Sequence, residues 1–198
     1  MKLRSNSAER RAKLPVSQRA HQPRSRRRAV TPLQDSHATA VATGLEPKQS
    51  AGFFVRTVRA ADLAQVIALD QQVTGLAKPD YWRSLFQRYD RQRDGQQFFL
   101  VAADEVAGTF CGFIVGEIRA WEFGSAPCGW VHTITVRPET RLRGLGQTLF
   151  DAICADFKRL GVARTRTMVA RDDRPLLMFF RAVGMMAGPY IELEKDLD

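Results

Sequence analysis

The chain has 198 residues, with 30 Lys or Arg against 21 Asp or Glu and 44% hydrophobic residues, a length suited to one domain with an appendage. Residues 1–50 hold eleven Lys or Arg and three Asp or Glu, which leaves 19 and 18 for the other 148 residues, so the basicity belongs to the first fifty. Three cysteines without Cys-x-x-Cys spacing and three scattered histidines argue against a disulfide framework or a zinc site, and no stretch approaches transmembrane length.

In chain order, residues 1–50 are rich in Arg, Ser, Pro and Ala and lack apolar periodicity. They cannot bury enough surface to offset ordering entropy, so a disordered basic tail is expected there. Four arginines within residues 24–28 offer a contact for RNA, DNA or an anionic membrane, against the plainer reading of a solvated tail. An Arg-rich, acid-poor leader also fits an organellar transit peptide, whereas the lack of an apolar h-region argues against secretion. A domain is expected over 51–198. Residues 53–58 alternate as a first strand, Leu63, Val66, Ile67 and Val73 mark a helix, and Tyr81, Trp82, Leu85, Phe86 and Tyr89 mark a second. Residues 98–103 and 111–118 read as strands joined by a turn around 104–108.

Residues 131–136 form an apolar strand that runs into Arg141-Leu142-Arg143-Gly144-Leu145-Gly146, and that turn opens a helix. Amide N–H groups at such a helix start lack partners, the helix dipole adds positive charge, and two glycines let an anion approach the backbone. Arg141 and Arg143 add forked donors, so the turn is predicted to cradle a pyrophosphate. It lacks the third glycine of the dinucleotide fingerprint and the Gly-Lys-Ser/Thr ending of a P-loop. The helix that follows carries Leu149, Phe150, Ile153, Cys154, Phe157 and Leu160 on one face, with Gly161 at its end. Residues 164–170 alternate as a strand. Asp172-Asp173-Arg174-Pro175 then starts a helix carrying Leu176, Phe179 and Phe180 and closed by Gly184.

The turn, preceded by Ile134-Thr135-Val136-Arg137-Pro138 and followed by the helix, resembles the Arg/Gln-x-x-Gly-x-Gly/Ala signature of the GNAT superfamily of acyl-CoA N-acyltransferases. The resemblance covers roughly residues 53–198. It implies an α/β fold: a mixed, splayed sheet with helices on both faces in the order β-α-α-β-β-β-α-β-α-β. It also implies transfer of an acetyl group from acetyl-CoA, as co-substrate and without a metal, to a primary amine by direct attack. The main chains of Ile134 and Val136 would hold pantetheine. The amides of Leu142, Arg143, Gly144, Leu145, Gly146 and Gln147, with Arg141 beside them, would hold the pyrophosphate. Asp173 falls where the family usually has Asn. Phe180 falls where it often has the tyrosine that protonates the departing thiolate, so Phe180 would pack on the pantetheine arm and the proton would come from water or another group.

A general base is sought on the strand before the cradle, where period two places Trp130, His132, Ile134 and Val136 on one face. An imidazole suits amine deprotonation, and arylalkylamine acetyltransferases have a histidine at the His132 offset. They have another two residues earlier, where this chain has Trp130. Met168 occupies the slot of the glutamate used by amino-terminal-acetylating members. Glu117 is the substitute candidate, and a structural histidine is the alternative for His132. The acceptor pocket is expected from Tyr81, Trp82, Trp121, Glu122, Phe123 and Trp130, aromatics that suit an apolar or aromatic amine, or a peptide end, better than a highly charged aminoglycoside. The implied partners are an acyl-CoA and an amine, in a monomer or homodimer of the cytoplasm, without membrane insertion and with nucleic-acid contact only through the tail. Two other classes stay open: a degenerate acyl-CoA-binding module, and an RNA-associated protein acting through its basic tail.

Overall fold

The computed structural model describes residues 48–50, 52–91, 95–141 and 143–197. All but the last three residues of the expected tail lie outside the described residues. Those three form β1 (Lys48–Ser50), which pairs antiparallel with β2 (Phe53–Thr57), so regular structure begins ahead of the expected boundary at 51. The chain continues through α1 (Leu63–Thr74), α2 (Pro79–Arg91), β3 (Gln97–Asp104), β4 (Phe110–Arg119), β5 (Cys128–Val136), α3 (Leu145–Arg159), β6 (Thr165–Arg166) and α4 (Arg174–Ala182). The six strands lie in sequence order in one sheet, antiparallel throughout except that β5 and β6 run parallel. This is the expected mixed α/β architecture.

Period-two alternation along β4 divides the core into two layers. Phe113 and Val115 point to the face covered by α1 and α2, where Val66, Leu69, Trp82, Phe99 and Val101 are buried with them. Ile114 points to the other face, against Leu145, Leu149, Ile153 and Phe157 of α3 and Phe180 of α4. Trp82 fixes α2: it is 1% exposed, its ring meets Phe113 edge-on, and its indole N–H donates to Asp70 at 2.8 Å. Asp70 is itself buried and pairs with Lys78 at 3.0 Å, which satisfies a carboxylate that would otherwise be costly to bury. Trp82 was expected at the acceptor pocket; it is a core residue, and its truncation would cost about 3–5 kcal/mol.

Asp62 precedes α1 and is held by a two-pronged pair with Arg56 at 2.6 and 2.8 Å. Helix α3 lies tight on the sheet, because Gly129 offers no side chain where a Cβ would overlap the ring of Phe157. Helix α4 begins as expected: Asp173 caps it by accepting from the Leu176 amide at 3.1 Å, with Pro175 in the first turn.

Two expectations fail at the carboxyl-terminal side. The strand expected over 164–170 is two residues long, Thr165–Arg166. Main-chain pairing with β5 stops after Trp130↔Arg166, and Thr167 reaches the Val131 carbonyl through its side chain instead. The strand expected to close the order after α4 does not form; residues 185–197 carry no regular structure, and Ile191, Leu193 and Leu197 are exposed. The outer edge of β6 therefore has no strand beside it among the described residues.

Candidate active site

The site is organised by one irregularity in β5. Its pairing with β4 runs Gly116↔Val131 and then Val115↔Thr133, so His132 is an extra residue, a β-bulge. Ahead of the bulge, odd-numbered residues turn their main chain toward β6. Gly129 N–H donates to the Arg164 carbonyl at 2.9 Å, and the Val131 carbonyl accepts from the Thr167 hydroxyl at 2.9 Å. Beyond it the parity is reversed, and Arg137 N–H donates to the Cys111 carbonyl of β4 at 2.8 Å. Ile134 and Val136 consequently present their backbone groups away from β4, beside the gap left where β6 ends.

The same bulge overturns the expectation that Trp130, His132, Ile134 and Val136 share a face. Ile134 and Val136 pack their side chains on the α3 layer. His132 instead opens into a cavity of about 190 Å³ on the α2 side, lined by Tyr81, Leu85, Arg88 and Tyr89 of α2 together with Glu117 and Arg119 of β4. One extra residue reverses the sidedness of all that follows, which strict alternation cannot anticipate.

His132 and Glu117, taken from sequence as alternatives, are partners. His132 Nε2 lies 3.3 Å from Glu117 Oε1, with side chains 27% and 30% exposed. Arg119 Nε donates to the same Oε1 at 2.7 Å, its Nη1 lies 3.8 Å from Glu122, and its guanidinium stacks over the Trp130 ring at 4.6 Å. Burial pushes the His132 imidazole below its ordinary pKa and outweighs the opposing pull of Glu117, so the ring is neutral over a wider pH range. Burial alone would raise the Glu117 carboxyl, but the Arg119 hydrogen bond and the neighbouring charges carry it below its usual value. The site is therefore a neutral imidazole backed by an ionised carboxylate. With Nε2 turned to Glu117, Nδ1 makes no hydrogen bond among the described residues.

At the other end of β5 the chain turns through Pro138–Thr140 into α3. Gly144 stands at the helix start with φ 77°, a left-handed conformation that other residues adopt at a cost of about 1–2 kcal/mol. Thr148 N–H makes the first α-helical bond, to the Gly144 carbonyl at 3.0 Å, so the amides of Leu145, Gly146 and Gln147 precede the internal ladder. Gly146 has a packing role too: a Cβ there would sit 3.1 Å from the ring of Phe179 on α4. Arg143 is exposed with its guanidinium over Phe53 at 4.6 Å, Arg141 and Gln147 are exposed, and Leu142 lies outside the described residues.

The other sequence candidates separate. Asp173 is engaged in capping α4, and Phe180 is 4% exposed, its ring packed on Phe150 and Phe179. Trp121 is 75% exposed and Met168 54%; the Phe123 side chain lies outside the described residues. Sequence reasoning missed Arg88, Tyr89 and Arg119. Arg119 had a signal, since it follows Glu117 by two on one strand and so shares its face. Among the described residues no three His, Cys, Asp or Glu gather as a metal site needs, and no helix is long and apolar enough to cross a membrane.

Comparison with known proteins places the fold. No curated protein matches the chain in sequence. Solved structures do match in fold. Aminoglycoside 6'-N-acetyltransferase AAC(6')-Ih from Acinetobacter baumannii superimposes with a TM-score of 0.63 at 16% identity, covering 74% of this chain and 100% of that one. AAC(6')-Iy, solved with the bisubstrate analogue CoA-S-monomethyl-acetylneamine, gives 0.65 at 16% identity over 75% of this chain and 100% of its own. Glucosamine-6-phosphate N-acetyltransferase from Arabidopsis thaliana gives 0.59 at 18% identity, covering 75% and 100%. The sequence profile of the acetyltransferase (GNAT) family matches residues 63–185, more than half of the chain, and the chain belongs to that family.

Proposed function

We propose that the protein transfers an acetyl group from acetyl-CoA to a primary amine, with His132 as general base and Glu117 as the group that orients it and stabilises its protonated form. The observation that carries this reading is the layout of β5, which has unpaired main chain and a helix start beyond its bulge and an imidazole–carboxylate pair at it.

The residues fit an acyl-CoA. The free amides at the start of α3 and the left-handed Gly144 suit the pyrophosphate, with Arg141 and Arg143 adding charge. The outward main-chain groups of Ile134 and Val136 suit the amides of pantetheine, which would add to the sheet beside β5 as an extra strand does. His132 lies four residues before Val136, about 13 Å of extended chain. Bound acetyl-CoA supplies an activated acyl carbon.

The protein's part is to hold the amine in the cavity and take its proton. Glu117 accepts from Nε2–H, which fixes the tautomer and leaves the Nδ1 lone pair as base. When Nδ1 gains the proton, the carboxylate 3.3 Å away stabilises the imidazolium. With phenylalanine at 180 buried in the core, the departing thiolate is protonated by water or by the imidazolium itself.

The test is thiol release from acetyl-CoA by the full chain against a panel of amines, amino acids and peptides, with acetyl-CoA affinity measured by calorimetry. Acceptor-dependent release is expected. Tight acetyl-CoA binding without release on any acceptor would make the protein a binding module, and no binding would overturn the reading.

A further inference from the structure

The acceptor cavity has a charge pattern that narrows the acceptor, given the proposed reaction. Its volume, about 190 Å³, is below the roughly 300–1,000 Å³ usual for small-molecule sites. Tyr81, Leu85 and Tyr89 of α2 and Phe99 and Val115 of the sheet give it an apolar, aromatic part, beside the polar Arg88, Gln97, Glu117, Arg119 and His132. A small body with one apolar part and a few charged groups suits such a space, and a multi-ring sugar does not.

Two guanidinium groups, Arg88 and Arg119, line the cavity against one carboxylate, Glu117. The charge of Glu117 is already answered by the Arg119 guanidinium at Oε1, where His132 also approaches, which weakens the pull of the remaining Oε2 on an incoming cation. Arg119 is committed as well, to Glu117, Glu122 and the face of Trp130. Arg88 differs. It sits in the last turn of α2 with no hydrogen bond or ion pair among the described residues, and its charge is felt at His132. A cavity with an excess positive charge and one uncommitted fork disfavours a polycation and favours an amine that brings its own anion.

We infer that the acceptor is a small apolar or aromatic amine bearing a carboxylate, in the simplest case an α-amino acid, and that Arg88 determines this specificity by pairing with the carboxylate while the nitrogen meets His132. The proposal rests on the acyl-transfer reading but has its own failure mode. Phosphate would engage the same arginine; the apolar wall favours the carboxylate of an amino acid over a phosphorylated sugar.

The test uses the full chain and three matched pairs: phenylalanine with phenethylamine, tyrosine with tyramine, and leucine with isoamylamine. Phosphoethanolamine and a polyamine aminoglycoside are added as further arms. Thiol release gives kcat and KM, and calorimetry gives acceptor binding without need of turnover. In at least one pair the carboxylate member is expected to be preferred by about tenfold or more, through KM. Arg88→Gln should remove that preference and Arg88→Lys should keep part of it. Equal or better use and binding of the decarboxylated member in all three pairs overturns the proposal. So does a preference for phosphoethanolamine or the aminoglycoside, or a preference unchanged in Arg88→Gln. Arg88-dependent binding of an amino acid without turnover would sustain the acceptor site and defeat the acyl-transfer reading instead.

Discussion

The two ends of β5 are built from different materials. The α3 end is main chain: free amides, a left-handed glycine and outward backbone groups of Ile134 and Val136. The bulge end is side chain: His132, Glu117, Arg119 and Arg88, drawn from three elements that meet only through strand register and helix packing. A backbone site needs only the right turn and tolerates many residue types. A side-chain site fails when one pairing shifts by one residue. Binding and chemistry should therefore separate cleanly under mutation, and the following variants test whether they do.

The largest separation is expected from His132→Gln. It should lower kcat by about 100-fold while acetyl-CoA affinity by calorimetry stays within twofold. A parallel loss of affinity would mean that the two ends are not independent.

Glu117→Gln sharpens the same end. We expect kcat to fall by about tenfold. Because the Glu117 charge raises the His132 pKa against the effect of burial, its removal lowers that pKa further. The acidic limb of the pH–rate profile should thus move to lower pH in this variant. A limb that stays in place or moves up would show that the two side chains are not coupled.

Gly144→Ala addresses the cradle from the opposite direction. The new side chain meets nothing within 4 Å, so the φ of 77° is the whole obstacle. Acetyl-CoA affinity should weaken by several-fold and stability should fall by about 1–2 kcal/mol, with kcat at saturation little changed. A lowered kcat with unchanged affinity would reverse the assignment of the two ends. Gly146→Val is a poorer probe, because its side chain would push on Phe179 and disturb the docking of α4.

The smallest effect is expected from deleting residues 1–42. We propose that this segment is dispensable for folding and chemistry, since it carries most of the net charge and no apolar pattern. Melting temperature and acetyl-CoA affinity should be unchanged in a chain that begins at Thr43. A drop in either would tie the tail to the domain.

The legibility of the molecule follows the same division. The strand–turn–helix unit could be read because a strand, a turn with Gly144 and Gly146, and an amphipathic helix are local features with fixed spacing. The helix ends could be read from Asp173 and Gly161 for the same reason. The bulge at His132 could not, since Val-His-Thr-Ile-Thr-Val alternates plausibly and an extra residue is fixed only by what β4 places opposite it. The inward turn of Trp82 is not legible either, because an aromatic helix face gives no sign of which ring turns inward. Its burial against Phe99 and Phe113 is settled by the sheet. The short β6 was equally hidden, as its alternating sequence continues past the point where geometry ends the pairing.

The account stands most directly on the pH dependence of kcat/KM, measured in parallel for the wild-type protein and His132→Gln with one good acceptor. A half-buried imidazole whose pKa is lowered should give the wild-type protein an acidic limb below the ordinary histidine value of about 6.5. Activity should be retained above that limb and lost as the ring protonates. The limb should be missing from the variant, leaving only the ionisation of the amine itself. The same limb in both proteins, with turnover undiminished, would show that His132 takes no proton and would contradict the assignment.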